Sequence, residues 1–227
     1  MITYKGRQIP ETFEEIVNPQ HTALIVHEMR NDLREIGAAD KGGKMIRIDF
    51  DSIVAPLARL LAAARDKNMR IIFAGYMGHS TESLYSDVMV WRHHKRLLDP
   101  KTAPGAPGVV EKSRGWQVID ELKPRETEII LAKPRVDCFI GTNLELLLRW
   151  NGIRTIVIAG VGAEVGILPT TFHALNLGFF VAAPVDCIRG TAREWTNDAM
   201  KFIGGNEHGP LALVQPSSDI IAAWERY

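Results

Sequence analysis

The segment Thr155–Gly166 constrains the fold more than any other. A mostly apolar run, Thr155–Ala159, leads into Gly160-Val161-Gly162-Ala163-Glu164-Val165-Gly166, and a helix is expected from about Ile167 to Leu177. Strand, tight glycine turn and helix together form the repeating unit of a parallel α/β sheet. The turn brings backbone N–H groups to the carboxyl edge of that sheet, where they can meet an anionic substrate or an oxyanion. It carries no thiol, hydroxyl or imidazole. Side-chain chemistry at that edge must come from other segments.

Similar units recur along the chain. Thr22–Val26 reads as a buried strand that carries on to Glu28, Arg70–Ala74 as the next, and Glu128–Ala132 as a third. After Thr155–Ala159, Phe179–Ala183 gives a fifth strand and Ala212–Val214 a short sixth. Helices are expected between them: one from an Asp49 cap to about Ala64, then Asn143–Trp150, Ala192–Phe202 and Ser218–Trp224. This alternation implies a three-layer α/β/α, Rossmann-like fold with a mostly parallel sheet of five or six strands. Residues 1–227 are expected to form one domain, with 1–20 as an N-terminal arm containing one helical turn near Phe13–Val17. The stretch Gly75–Pro107 is rich in His, Trp, Arg and Pro and reads as a long excursion near the active site rather than core.

Composition narrows the partners. Lys plus Arg and Asp plus Glu number 27 each, so no net positive field favours nucleic acid. No apolar stretch reaches the roughly 18 residues needed to span a bilayer, and the first ten residues lack an apolar signal core. A cytoplasmic protein acting on a small molecule is expected, with no cofactor. Cys138 and Cys187 are too few for a disulfide framework and are expected as reduced, structural thiols.

Loops beyond the carboxyl ends of parallel strands share one edge of the sheet. That edge is expected to gather Glu28, the segment Gly75–His79, Lys133 and the glycine turn. Glu28 beside Lys133 can be a structural ion pair or an acid–base pair. Lysine would depress the glutamate pKa while burial would raise it. Arg30 is expected either to orient a substrate carboxylate or to pair with Glu164 or Asp32. Tyr76, Phe139 and Trp91 are candidate aromatic walls, and His79 a polar pocket residue. His173, Trp195 and Trp224 suit packing better than catalysis.

Three segments in this order resemble the isochorismatase-like family, also called the cysteine hydrolase superfamily. They are Thr22-Ala23-Leu24-Ile25-Val26-His27-Glu28-Met29-Arg30-Asn31-Asp32-Leu33, then Leu131-Ala132-Lys133-Pro134 with Phe139-Ile140-Gly141-Thr142-Asn143-Leu144, then Gly160-Val161 through Ala174. The resemblance implies a hydrolase. In the amide-cleaving members an Asp, a Lys and a Cys form the catalytic group. Glu28 falls on the Asp position, Lys133 on the Lys position and Gly166 on the Cys position. The thiol nucleophile is thus replaced by glycine, as it is in true isochorismatases, which cleave a vinyl ether without a covalent intermediate but retain Asp. The family's non-proline cis peptide would correspond to Val161–Gly162. Nicotinamidase-type relatives bind a metal after the second strand, but here Gly75-Tyr76-Met77-Gly78-His79 lacks the aspartate. His79, His93 and His94 have no diagnostic spacing, so no metal is expected. Family members commonly form homodimers or homotetramers.

These residues imply hydrolysis of a small metabolite without a thiol. Glu28 would protonate a vinyl ether or deprotonate water, Lys133 would stabilise developing charge, and backbone donors of Gly162, Ala163, Glu164, Val165 and Gly166 would hold the oxyanion. Arg30, Tyr76, His79 and Phe139 would contact substrate. A direct-water amidohydrolase and a noncatalytic binding or assembly protein of the same fold are the alternatives.

Overall fold

The structure, a computed structural model, describes residues 1–36, 38–39, 45–46, 48–77, 86–88, 90–91, 113–205 and 211–227. Its central strands are β1 (Thr22–His27), β2 (Arg70–Tyr76), β3 (Ile129–Lys133), β4 (Thr155–Val161), β5 (Phe180–Pro184) and β6 (Leu213–Gln215). They pair in the order β6-β5-β4-β1-β2-β3, all parallel, and the two-residue strand Ile188–Arg189 also pairs with β4. The described helices are α1 (Phe13–Ile16), α2 (Asn31–Ile36), α3 (Val54–Asp66), α4 (Leu144–Trp150), α5 (Leu168–Asn176), α6 (Arg193–Gly204) and α7 (Ser217–Glu225).

Each central strand divides its apolar residues between two cores, because successive side chains leave opposite faces. Leu24 and Val26 of β1, Ile71 and Phe73 of β2, and Val157 and Ala159 of β4 pack on one side with α3 and α7. Ala23 and Ile25, Ile72 and Ala74, and Ile156 and Ile158 pack on the other with α4, α5 and α6. The result is the expected three-layer α/β/α architecture. Helix α3 presents Leu57, Leu60 and Leu61 at helical spacing, each essentially fully buried. Each contributes about 2 kcal/mol of apolar burial.

Two local details differ from expectation. Asp49 does not cap α3. The chain enters through a 3₁₀ turn, Asp51–Ile53, and the Asp49 carbonyl accepts a 2.8 Å bond from Ser52 Oγ. Within residues 1–20 there is also a hairpin, Ile2–Tyr4 with Arg7–Ile9, before α1. Helix α1 opens with a capping box between Thr12 and Glu15. Trp224 Nε1 donates to the Val17 carbonyl at 2.9 Å, and Thr155 Oγ1 to that of Ile16 at 2.5 Å. Trp224 is therefore core. Among the described residues, no helix is long and apolar enough to cross a membrane.

Candidate active site

The strand register brings the expected segments to one edge. His27, the last residue of β1, lies opposite Ala74 of β2 and Gly160 of β4, and Tyr76 lies opposite Lys133. The chain leaves β1 abruptly. Glu28 takes a left-handed conformation, φ 57°, pinned by its N–H to the Ala74 carbonyl at 2.8 Å. A non-glycine residue held there stores about 1–3 kcal/mol of strain, a cost met mainly at ligand and catalytic sites.

The turn puts the Glu28 carboxylate among cations. Lys133 Nζ stands 2.7 Å from Oε1, and the Tyr76 N–H donates to the same oxygen at 2.7 Å. Arg30 Nε lies 3.0 Å from Oε2, close but outside hydrogen-bond alignment, so that contact is mainly Coulombic. Burial pushes the Glu28 carboxyl upward, but Arg30 and then Lys133 outweigh it and hold the pKa at about 2. Glu28 is ionised at neutral pH. Lys133, 2 % exposed, completes its three donors on the carbonyls of Arg135 (3.2 Å) and Val136 (3.1 Å).

The other predicted contacts fare differently. Arg30 is not free to orient a substrate carboxylate. Besides Glu28, its guanidinium meets Asp32 Oδ2 at 3.1 Å and the Tyr76 carbonyl at 2.5 Å, and it is 4 % exposed. The Asp32 pairing expected as one alternative is the one found. Tyr76 joins the cluster through its backbone. Phe139 is not a pocket wall: the chain after β3 folds back, and the ring packs 4.9 Å from His173 and 6.3 Å from Phe179 within a core. His173 Nδ1 in turn contacts Asp137 Oδ2 at 2.7 Å. His79, His93, His94 and most of Gly75–Pro107 lie outside the described residues. Cys138 and Cys187 are buried, and burial pushes their thiols up to about 11 and about 12, which makes both poor nucleophiles.

The glycine turn forms one π-helical turn, Ala163–Ile167, entered through Gly162 at φ 85°. Such turns are frequent at functional sites. The Val161–Gly162 peptide is trans. Gly162 N–H donates to the Arg189 carbonyl and Gly166 N–H to that of Gly162, both at 2.8 Å, so these two are not oxyanion donors. The amides of Ala163, Glu164 and Val165 open the turn and lack an intrahelical acceptor. The Glu164 side chain is held by Thr191, through its N–H at 3.0 Å and its hydroxyl.

One residue of the site escaped the sequence reading. His27 is 2 % exposed, and its Nδ1 lies 2.6 Å from the Val161 carbonyl oxygen. A Cβ built on Gly166 would stand 2.3 Å from His27 Cε1 and 2.5 Å from Nε2. The imidazole thus fills the space beside Gly166. Burial, then Lys133, depress its pKa to about 4 against the opposing pull of Glu28. It is neutral at pH 7.

The isochorismatase domain family matches residues 22–207, which span every element described above from β1 to α6. The chain belongs to the isochorismatase family. That membership makes it a hydrolase. Among curated proteins it is similar to the ureidoacrylate amidohydrolase RutB of Klebsiella pneumoniae (strain 342), at 32 % identity over 80 % of this chain and 75 % of that one. The corresponding protein of Enterobacter sp. (strain 638) is 29 % identical over 81 % and 82 %. The fold is similar to that of a cysteine hydrolase from Pseudomonas syringae pv. phaseolicola 1448A. That match has a TM-score of 0.76 at 21 % identity, covering 93 % of this chain and 95 % of that one. It is also similar to N-carbamoylsarcosine amidase from Thermoplasma acidophilum, with TM-score 0.63 at 21 % identity, covering 86 % and 96 %.

Proposed function

We propose that this isochorismatase-family protein hydrolyses the C–N bond of a small amide or ureido compound by direct attack of water, without a covalent thiol intermediate. Glu28 and Gly166 are read as standing at the family's Asp and Cys positions. The observation that carries the proposal is the buried 2.7 Å contact between Lys133 Nζ and Glu28 Oε1 at the carboxyl edge, which also holds a turn whose first amides, Ala163–Val165, have no intrahelical acceptor. A fixed ammonium in a dry site stabilises charge that develops on a carbonyl oxygen, and the three N–H groups of Ala163–Val165 are the further donors. The amidohydrolase activity named for the similar ureidoacrylate enzymes supports the bond class.

Cleavage of a vinyl ether is less well supported. It requires Glu28 to carry a proton to carbon, and two neighbouring cations keep that carboxyl ionised.

Turnover of ureidoacrylate, other small ureides and amides, small esters and a vinyl ether tests the reading directly. Wild type is expected to release ammonia or amine from a member of the first group. Glu28→Gln should lower kcat by about 10²-fold or more. Unchanged turnover in Glu28→Gln, or cleavage of the vinyl ether alone, overturns it.

A further inference from the structure

The Glu28–Lys133 pair does not itself explain where the proton of an attacking water goes. Glu28 Oε1 already receives Lys133 and the Tyr76 N–H, and Oε2 faces Arg30. His27 is differently placed. The Val161 carbonyl can only accept, so the 2.6 Å contact puts the ring proton on Nδ1. Nε2 is then a bare lone pair. It is buried and has no hydrogen-bond partner among the described residues.

Simple packing does not account for this nitrogen. An apolar side chain would fill the same volume without leaving a buried acceptor unpaired, which is a costly arrangement. The position is also specific. The point where a Cβ of residue 166 would stand lies 2.5 Å from Nε2 and 3.3 Å from the Val136 carbonyl oxygen, and Lys133 Nζ donates to that carbonyl at 3.1 Å. On the other flank, Gly160 has φ 126°, and a Cβ there would meet the His27 carbonyl oxygen at 2.0 Å. Glycines on both sides let β1 and its imidazole sit where they do.

We propose that His27 Nε2 is the general base of this hydrolase, standing where a thiol at position 166 would project and taking a proton from water instead. The assignment rests on the direct-water reading above. As the water oxygen bonds to the substrate carbonyl carbon, one O–H bond breaks and its proton passes to Nε2. The C=O π pair moves to oxygen, for which the Ala163–Val165 amides are the candidate donors and the Lys133 ammonium a fixed positive charge nearby. Collapse re-forms the carbonyl and breaks the C–N bond. The imidazolium returns its proton to the leaving nitrogen, which restores the bare Nε2. Burial and Lys133 keep the resting ring unprotonated at neutral pH, so the lone pair is always available.

Two measurements test this, one independent of any substrate. ¹⁵N NMR of histidine-labelled full-length protein at pH 7 should show His27 with Nδ1 protonated and Nε2 bare. A protonated Nε2, as imidazolium or the other tautomer, overturns the assignment. Kinetics on ureidoacrylate, or on whichever amide wild type cleaves, form the second arm. His27→Gln keeps a donor for the Val161 carbonyl but has no basic nitrogen. It should lose about 10²–10⁴-fold in kcat with little change in KM. His27→Ala should recover turnover on addition of free imidazoles, faster with more basic ones. Gly166→Ala, which displaces the ring without removing it, guards against a His27 variant that fails to fold and should also lose turnover. Activity within threefold of wild type in folded His27→Gln sinks the role of His27 alone. Failure of wild type to cleave any amide or ureide sinks the hydrolytic reading and this one with it, even where the NMR shows Nε2 bare.

Discussion

The sheet carries a buried arginine–glutamate contact at each end, and the two are built differently. At the amino end, Glu128 just before β3 takes a two-point bond from Arg65, at 2.7 and 2.8 Å, plus the Arg125 N–H. Burial raises that carboxyl, but Arg65 and then the Arg125 N–H bring it below its ordinary value. One guanidinium there meets one carboxylate, and each is completed by the backbone, Arg65 through a 2.8 Å bond to the Lys123 carbonyl. At the carboxyl end, two carboxylates (Glu28 and Asp32) share two cations (Lys133 and Arg30), on a backbone forced to positive φ, next to an imidazole with an unpaired nitrogen. Charge pairing at the first site joins α3 to the segment that leads into β3. At the second it maintains a fixed field where substrate is expected to bind. Buried pairing alone does not mark a functional site; strain and an unsatisfied atom beside it do.

Mutations that remove one partner should separate the two ends. The largest effect is expected from Lys133→Met, which leaves Glu28 with Arg30 as its remaining cation beside the Tyr76 N–H, and the Arg135 and Val136 carbonyls without their donor. About 3 kcal/mol of stability should be lost in urea denaturation, together with turnover. Arg65→Gln should cost less, about 1–2 kcal/mol, because Arg65 is nearer to solvent than Lys133. Its kcat should stay at the wild-type value. Equal kinetic losses at both ends would erase the contrast.

The pH dependence of stability sharpens it further. His27 has a folded pKa of about 4 against an ordinary 6.5, so between these values the unfolded chain binds the extra proton. Stability contributed by the neutral ring is full above pH 6.5 and declines as pH falls towards 4. His27→Gln should flatten that part of the urea-midpoint curve relative to wild type. Glu28, at about 2 against 4.5, loses its contribution at lower pH, from 4.5 towards 2. Glu28→Gln should flatten only that lower range. The smallest effect is expected from thiol reagents. With Cys138 buried and its thiol pushed up to about 11, native protein should resist maleimide at pH 7 and keep its activity. Rapid labelling with inactivation would restore a thiol to the mechanism.

Most of the sheet was legible because buried parallel strands are short apolar runs bounded by turns. The expected Arg70–Ala74 and Thr155–Ala159 begin where β2 and β4 begin and stop two residues early. Those two residues matter, since they carry the chain to Tyr76 and Val161 at the site. Glu28 and Lys133 were found because strand ends converge whatever the side-chain detail. Phe139 was misjudged because sequence spacing does not reveal a loop folding back under α4 and α5; for Arg30 the Asp32 pairing was among the expectations, but spacing could not choose it over a substrate contact. His27 was overlooked because a polar residue at the end of an apolar run reads as a strand terminus. The available clue was complementary volume: an imidazole one position before Glu28 and a glycine at 166, the position read as that of the thiol in amide-cleaving relatives.

The contact between Gly166 and the imidazole also couples how these two positions can change. Any β-carbon installed at 166, that of cysteine included, would stand 2.3 Å from His27 Cε1, so the ring must move aside. A smaller residue at 27 removes the conflict. A side chain at 166 and the imidazole in its present seat therefore exclude each other, and a chain that trades one for the other does so through linked replacements at both positions.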